Sequence, residues 1–200
     1  MCPADTIVYQ NLGDLDTAKR ASTFVLSDNN RKLSVQNDIQ LMDTVEEKKR
    51  VFIGVGTQIG KKQVEPIQIQ DISLREVTTE DIAAFDGKFA GGIEFGIEGK
   101  NLLFTKPVQI TFPVVGVADG EIIPVYVKHD GNAEYSQESL TNDPDAQCVQ
   151  GIPNAGVPEA EVIDGTVTFW SCQASTFAAG GTNGSLCTVD ADCPNGTCVE

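Results

Sequence analysis

Histidine is almost missing from this 200-residue sequence: His129 stands alone, beside a single tryptophan, Trp170, and two methionines. One imidazole leaves little from which to build general acid–base pairs or zinc sites, where histidine is the usual side chain. Basic residues are scarce as well, with 14 Lys and Arg against 29 Asp and Glu, a formal charge of -15 and a pI near 4.3. Nucleic acid and anionic membrane are excluded as partners, because both need a positive surface, whereas divalent cations are permitted. No run of about 18 apolar residues occurs, so no helical transmembrane segment is expected. Gly91-Gly92 and Gly54-Val55-Gly56 belong to no phosphate-cradling motif, and no nucleophile elbow accompanies His129, which reads as a surface residue in a turn. The chain therefore reads as non-enzymatic.

What remains is the composition of a folded protein, 40% hydrophobic and 22% charged, long enough for one large or two small domains. Its organising stretch runs from Leu102 to Val115. Val108, Ile110 and Phe112 alternate there with Gln109 and Thr111, the period of two that gives a strand one buried and one solvated face. Pro107 and Pro113 cannot donate to a strand ladder and are expected at strand ends or on a sheet edge. Upstream, the short β-prone runs at 6–9, 23–26, 32–35, 39–42 and 50–53 are separated by turn signals such as Asp28-Asn29-Asn30, which suits antiparallel hairpins. Asp14 to Arg20 can form one helical turn. Ile67, Ile69 and Ile72 are expected to share a strand face, and Thr78-Thr79-Glu80-Asp81 offers an N-cap and first-turn acids for a short crossing helix, stopped at Gly87. Ile93, Phe95 and Ile97, then Ile123, Val125 and Val127, mark further strands.

The expected fold is all-β: an antiparallel β-sandwich over 62–180 with one short helix and a disulfide-rich tail at 181–200. Residues 1–61 form a strand-rich region that either joins the sandwich or serves as an assembly arm. Gly180-Gly181-Thr182-Asn183-Gly184 reads as a linker into the tail. Six cysteines, Cys2, Cys148, Cys172, Cys187, Cys193 and Cys198, are an even number crowded toward the end, as in extracellular disulfide frameworks. Export is expected, with any signal removed, and the sequons at Asn183 and Asn195 agree with exposed loops. Cys148 lies in a long polar connection over 129–164, and Cys172 directly follows the strand Thr166–Trp170, so a Cys148–Cys172 bridge is expected to pin that connection. Among Cys187, Cys193 and Cys198 one must pair elsewhere, with Cys2, with another molecule, or with a cysteine beyond residue 200. Oxygen donors cluster in Asp190, Asp192 and Asn195, and again in Asn142, Asp143 and Asp145; calcium is the best of the ligand candidates there, but neither spacing matches an EF-hand, and the leading reading is solvated acids with no cofactor.

Two phrases carry a family likeness: residues 99–113, GKNLLFTKPVQITFP, and residues 165–179, GTVTFWSCQASTFAA. Together they resemble the sandwich module of ankyrins and netrin receptors and its bacterial surface-protein relatives, over about residues 63–180. The tail, CTVDADCPNGTC, resembles the start of small cysteine-rich repeats of secreted bacterial proteins. The first resemblance implies an antiparallel sandwich used for attachment or assembly. Some relatives cut their own backbone at a His-Phe-Ser or His-Leu-Thr tripeptide, and the matching positions here are Gln173, Ala174 and Ser175. The hydroxyl is present, but Gln173 cannot take a proton at neutral pH, so no self-cleavage is expected.

The function expected is a secreted, non-enzymatic structural module of an extracellular surface assembly, such as a filament, surface layer or adhesin stalk. Its partners would be copies of itself or neighbouring domains, joined by disulfides and by strand edges, with Ile7, Val8 and Tyr9 as the assembly strand. A carbohydrate- or ligand-binding module, with Trp170, Tyr126 and Tyr135 as platform aromatics, is the second expectation. A degenerate self-cleaving domain is the third.

Overall fold

The computed structural model describes residues 7–9, 11–29, 31–43, 47–61, 66–67, 69, 72–96, 101–129, 131–156 and 158–181. The first 61 residues supply β1 (Ile7–Tyr9), α1 (Thr17–Thr23), β2 (Phe24–Ser27), β3 (Lys32–Val35), β4 (Ile39–Met42), β5 (Arg50–Ile53) and β6 (Gln58–Lys61). Then come β7 (Ser73–Arg75), α2 (Thr79–Ala84), β8 (Lys88–Gly96), β9 (Leu102–Pro113) and β10 (Ile122–Lys128). The long connection carries β11 (Leu140–Thr141), β12 (Cys148–Val149), β13 (Ile152–Pro153) and β14 (Glu159–Glu161), and β15 (Thr166–Gln173) and β16 (Thr176–Gly181) follow it. The chain is all-β in class, its strands paired antiparallel apart from β1 on β4.

The organising stretch is the hub. β9 pairs along one edge with β15, while its other edge is shared by β5 at residues 109–111 and by β6 at residues 102–104. β4 and β1 extend from β5, and β3 and β2 from β6, giving the order β1-β4-β5-β9-β6-β3-β2 with β15 and β11 branching from β9. Pro107, expected at a strand end, instead lies inside this 12-residue strand. The reason is local: on one side β5 has ended and β6 has not begun, and on the other the register with β15 shifts between Ser171 and Gln173. No ladder bond is asked of the proline there.

The smaller sheet runs β14-β10-β16-β8-β7. Its inward residues meet those of the larger sheet through aromatic contacts. Phe169 of β15 lies 5.5 Å from Phe177 of β16, and Phe104 of β9 stacks on Phe95 of β8 at 5.9 Å. Phe112 adds an edge contact to Phe169 at 5.8 Å. All these rings are buried, in one continuous apolar core with Val108, Ile110, Val125 and Val127, so two sheets are held face to face as in a sandwich.

Several local expectations change. Two short helices form, not one: Asp16 caps α1 by accepting from the Lys19 N–H at 2.9 Å, which carries the helix to Thr23, a residue expected in a strand. Ile67, Ile69 and Ile72 are buried, but they plug the core from a loop in which the Ile72 N–H bonds to the Ile69 carbonyl. Gly180 and Gly181, expected in a linker, are the last residues of β16. A Cβ at Gly180 would collide with the Lys88 carbonyl oxygen of the neighbouring strand and meet the Phe85 ring at 2.9 Å. That glycine is there for close approach rather than freedom.

The Cys148–Cys172 bridge is formed. It fastens the β12–β13 hairpin, which pairs Cys148 with Pro153, to the end of β15. In the chain-entropy account a loop of this length, 24 residues apart in sequence, contributes about 3 kcal/mol. The double variant Cys148→Ala/Cys172→Ala is expected to lose stability of that order in urea unfolding. Unchanged stability in that variant would mean that the hairpin is held by packing alone.

Candidate functional site

β10 and β16 run antiparallel with Lys128 opposite Thr176. That register sets the residue after β10, His129, beside the residue before β16, Ser175. A third segment arrives from β11, whose Leu140 pairs with Ser171, and it brings in Ser139. The imidazole Nδ1 lies 2.8 Å from Ser175 Oγ and Nε2 lies 2.9 Å from Ser139 Oγ. Ser139 is fully buried and Ser175 nearly so, with His129 half-buried between them. His129 is therefore no surface turn residue. A neutral imidazole accepts at one nitrogen and donates from the other, so one serine O–H points at the ring while the second hydroxyl receives its N–H.

Gln173 sits two residues before Ser175 and is also buried. Its side-chain amide donates to the Gly151 carbonyl at 3.1 Å, and its backbone carbonyl accepts from Ser171 Oγ at 2.7 Å. The hairpin that supplies Gly151 is the one fastened by the disulfide. Beside these groups opens a cleft of about 430 Å³ lined by His129, Gln173, Asn101, Glu138 and Gln150 among others. Chemically, the arrangement places a base within reach of a hydroxyl that directly follows the Ala174 carbonyl. No local sequence signal pointed to it, since His129 and Ser175 are 46 residues apart.

The three expected platform aromatics do not form one platform. Tyr126 and Tyr135 pack edge-on around Phe85, at 5.5 and 5.3 Å, on the outside of the smaller sheet. Trp170 belongs to β15 in the other sheet, where its cross-strand neighbours are Gln109 and Thr141. Burial, with the nearby charges of Asp81 and Glu94, pushes the Tyr135 hydroxyl above its usual value. That hydroxyl has no hydrogen-bond partner among the described residues.

α2 forms where the sequence indicated a short capped helix, and it ends on Phe85, the ring that the two tyrosines surround. Thr78 Oγ accepts from the Asp81 N–H at 3.1 Å, and Asp81 accepts in return from the Thr78 backbone N–H at 3.2 Å, a capping box. Lys128 Nζ completes the anchor at 2.9 Å from Asp81. Burial raises the Asp81 pKa, but hydrogen bonds from Thr78 and Lys128 and the lysine charge outweigh it, and the net shift is downward from 3.8.

Ile7, Val8 and Tyr9 form the outermost strand of the larger sheet, in parallel register with Ile39, Gln40 and Leu41. Of the calcium donors, Asn142 donates its amide to the Glu159 carbonyl and Asp143 accepts from the Asp145 N–H. Among the described residues no group of three or more His, Cys, Asp or Glu side chains converges for a metal. Cys2, Cys187, Cys193, Cys198, Asp190, Asp192 and Asn195 lie outside the described residues. No protein-family model matches the chain, and comparison with curated proteins and with solved structures returns no match.

The depressed Asp81 pKa fixes a pH dependence. Its contribution to stability is present above the ordinary value of 3.8 and is lost as pH falls through the lower folded value. Asp81→Asn is expected to be less stable than the parent at pH 7, with the difference shrinking below about pH 4 in thermal melts. A difference that stays constant down to pH 2 would show that the carboxylate charge is not what anchors α2.

Proposed function

We propose that this protein is a secreted, non-enzymatic structural module that builds an extracellular surface assembly by joining strand edges. The observation that carries the reading is that the larger sheet ends on two short strands, β1 and β2, with nothing paired beyond either among the described residues. A row of unpaired N–H and C=O groups templates strand addition. β2 also presents Val25 and Leu26, 48% and 42% exposed. The two ends are different surfaces, so β1 of one copy meeting β2 of the next is a head-to-tail contact. Contacts of that kind close into rings or propagate as filaments. The Cys148–Cys172 disulfide supports the extracellular assignment, because such bridges persist in oxidising compartments. Among the described residues no helix is long and apolar enough to cross a membrane.

Sedimentation velocity across a concentration series tests this. Species larger than the 21.4 kDa monomer are expected to grow with concentration, and removal of residues 1–10 is expected to leave monomer. A wild-type chain that stays monomeric at every concentration overturns the reading.

A second reading, self-processing at Ala174–Ser175, is favoured by one contact, the 2.8 Å approach of His129 to Ser175 Oγ. His129 supplies the base that Gln173 cannot. In such a step Ser175 Oγ attacks the Ala174 carbonyl carbon while its proton passes through His129 to the Ser175 nitrogen. The C–N bond breaks to leave an ester, and water then yields the Ala174 carboxylate and a free Ser175 amine. Intact-mass analysis separates the two readings: a single full-length mass supports the structural module, whereas two fragments that become one in Ser175→Ala establish processing.

A further inference from the structure

The outward face of the larger sheet carries an arrangement that neither assembly nor core packing uses. Antiparallel register places Gln40 opposite Phe52, Phe52 opposite Gln109, and Gln109 opposite Trp170, so the four side chains form one row across β4, β5, β9 and β15. A neighbouring row brings Arg50 beside Thr111 and Thr168. Phe52 and Trp170 are only half-buried, although large aromatics on a solvated sheet face cost hydration unless something covers them. From the strand spacing they stand roughly 10 Å apart. A cleft of about 550 Å³ opens over Phe52, Gln109 and Arg50, with Trp170 next along the row and outside its lining, within the size range of small-molecule sites.

Its charges are unlike the rest of the protein. Lys48, Arg50 and Asp164 are the charged residues lining it, two cations against one carboxylate, in a chain whose net charge is -15. Lys48 Nζ donates to the Asp164 backbone carbonyl at 2.9 Å. Arg50 is exposed, and its guanidinium makes no hydrogen bond or ion pair with any described residue. Its five-donor fork is left to solvent.

We propose that this face binds an acidic saccharide, a chain of uronate-type sugars. A pyranose presents C–H groups on its faces, hydroxyls around its rim and, in a uronate, a carboxylate at one corner. Phe52 and Trp170 cover the C–H faces, and Gln40 and Gln109 both donate to and accept from the hydroxyls. Arg50 grips the carboxylate through two parallel N–H bonds. A neutral sugar would leave the guanidinium unused, and Lys48 and Arg50 in the lining of the cleft offset locally the repulsion that the acidic remainder of the surface exerts on an anion. The proposal is independent of the assembly reading, since it uses the face of the sheet and leaves its two end strands free.

Because Trp170 is the only tryptophan, selectively excited tryptophan emission reports on this face alone. Titration with hexameric alginate oligosaccharide is expected to give a saturable change that weakens with added salt. Arg50→Gln, which removes no bond to a described residue, should fold with an unchanged melting temperature and bind about tenfold more weakly or worse. Phe52→Ala should weaken binding as well, and a neutral hexasaccharide of glucose should give no change. A flat titration with the alginate hexamer overturns the proposal, as does an affinity that Arg50→Gln leaves untouched. Equal binding of the neutral and acidic hexamers would overturn the assignment of an acidic ligand.

Discussion

One edge of β9 serves two strands, and this sharing governs the larger sheet. β5 and β6 run in the same direction along β9 but hold different stretches of it. Between them Gly54 to Thr57 loops out, and its Gly56 and Thr57 exchange backbone hydrogen bonds with Val35 of β3. The break divides the sheet into two arms, β4–β1 and β3–β2, each needing only short strands. It also makes room for Pro107, and Lys106 Nζ reaches across to the Val55 carbonyl at 3.2 Å. Without the interruption, a proline would sit in a central strand with a missing bond on one side.

The opposite edge of β9 carries β15, and the consequences there are chemical. β15 leaves regular register near Cys172, where the chain turns toward β16 and the second sheet. The Cys172 N–H bonds to the Ser139 carbonyl and its sulfur to Cys148. That single residue therefore draws both the Ser139 segment and the β12–β13 hairpin onto the crossing between sheets. Ser139, His129, Gln173 and Ser175 are buried together as a result. Buried polar groups are tolerated only when they are hydrogen-bonded, and these are: the two serines bond to half-buried His129, and Gln173 bonds to Ser171 and to the Gly151 carbonyl.

Much of this was legible in the residues. The period of two at Val108, Ile110 and Phe112 gave β9 and its buried face, Thr78 with Asp81 gave the capped α2, and the position of Cys172 after a strand gave the disulfide. Each of these signals is local, or depends on one covalent choice. What stayed hidden depends on distant partners. Pro107 looks like a strand end until both neighbours are known to break beside it. The parallel placement of β1 on β4 requires an excursion over residues 10–38 that short β-prone runs do not encode. Gly180 looks like a linker because composition cannot distinguish freedom from crowding. His129 looked solvent-facing for the same kind of reason: its serine partners lie 10 and 46 residues away, and only the β10–β16 register joins them. The row from Gln40 to Trp170 was equally invisible, since it crosses four strands from separate parts of the chain.

The hub role of β9 makes one measurement decisive: native-state amide hydrogen exchange resolved to single residues. Bonded amides in β9 and in the β15 segment paired with it should exchange only through global unfolding, and so share the largest protection free energy. Amides of the end strands β1 and β2 should open locally and exchange earlier. If β9 exchanges as fast as the end strands, or if the two arms unfold while β9 loses protection with one of them alone, the sheet does not depend on that shared edge and the account fails.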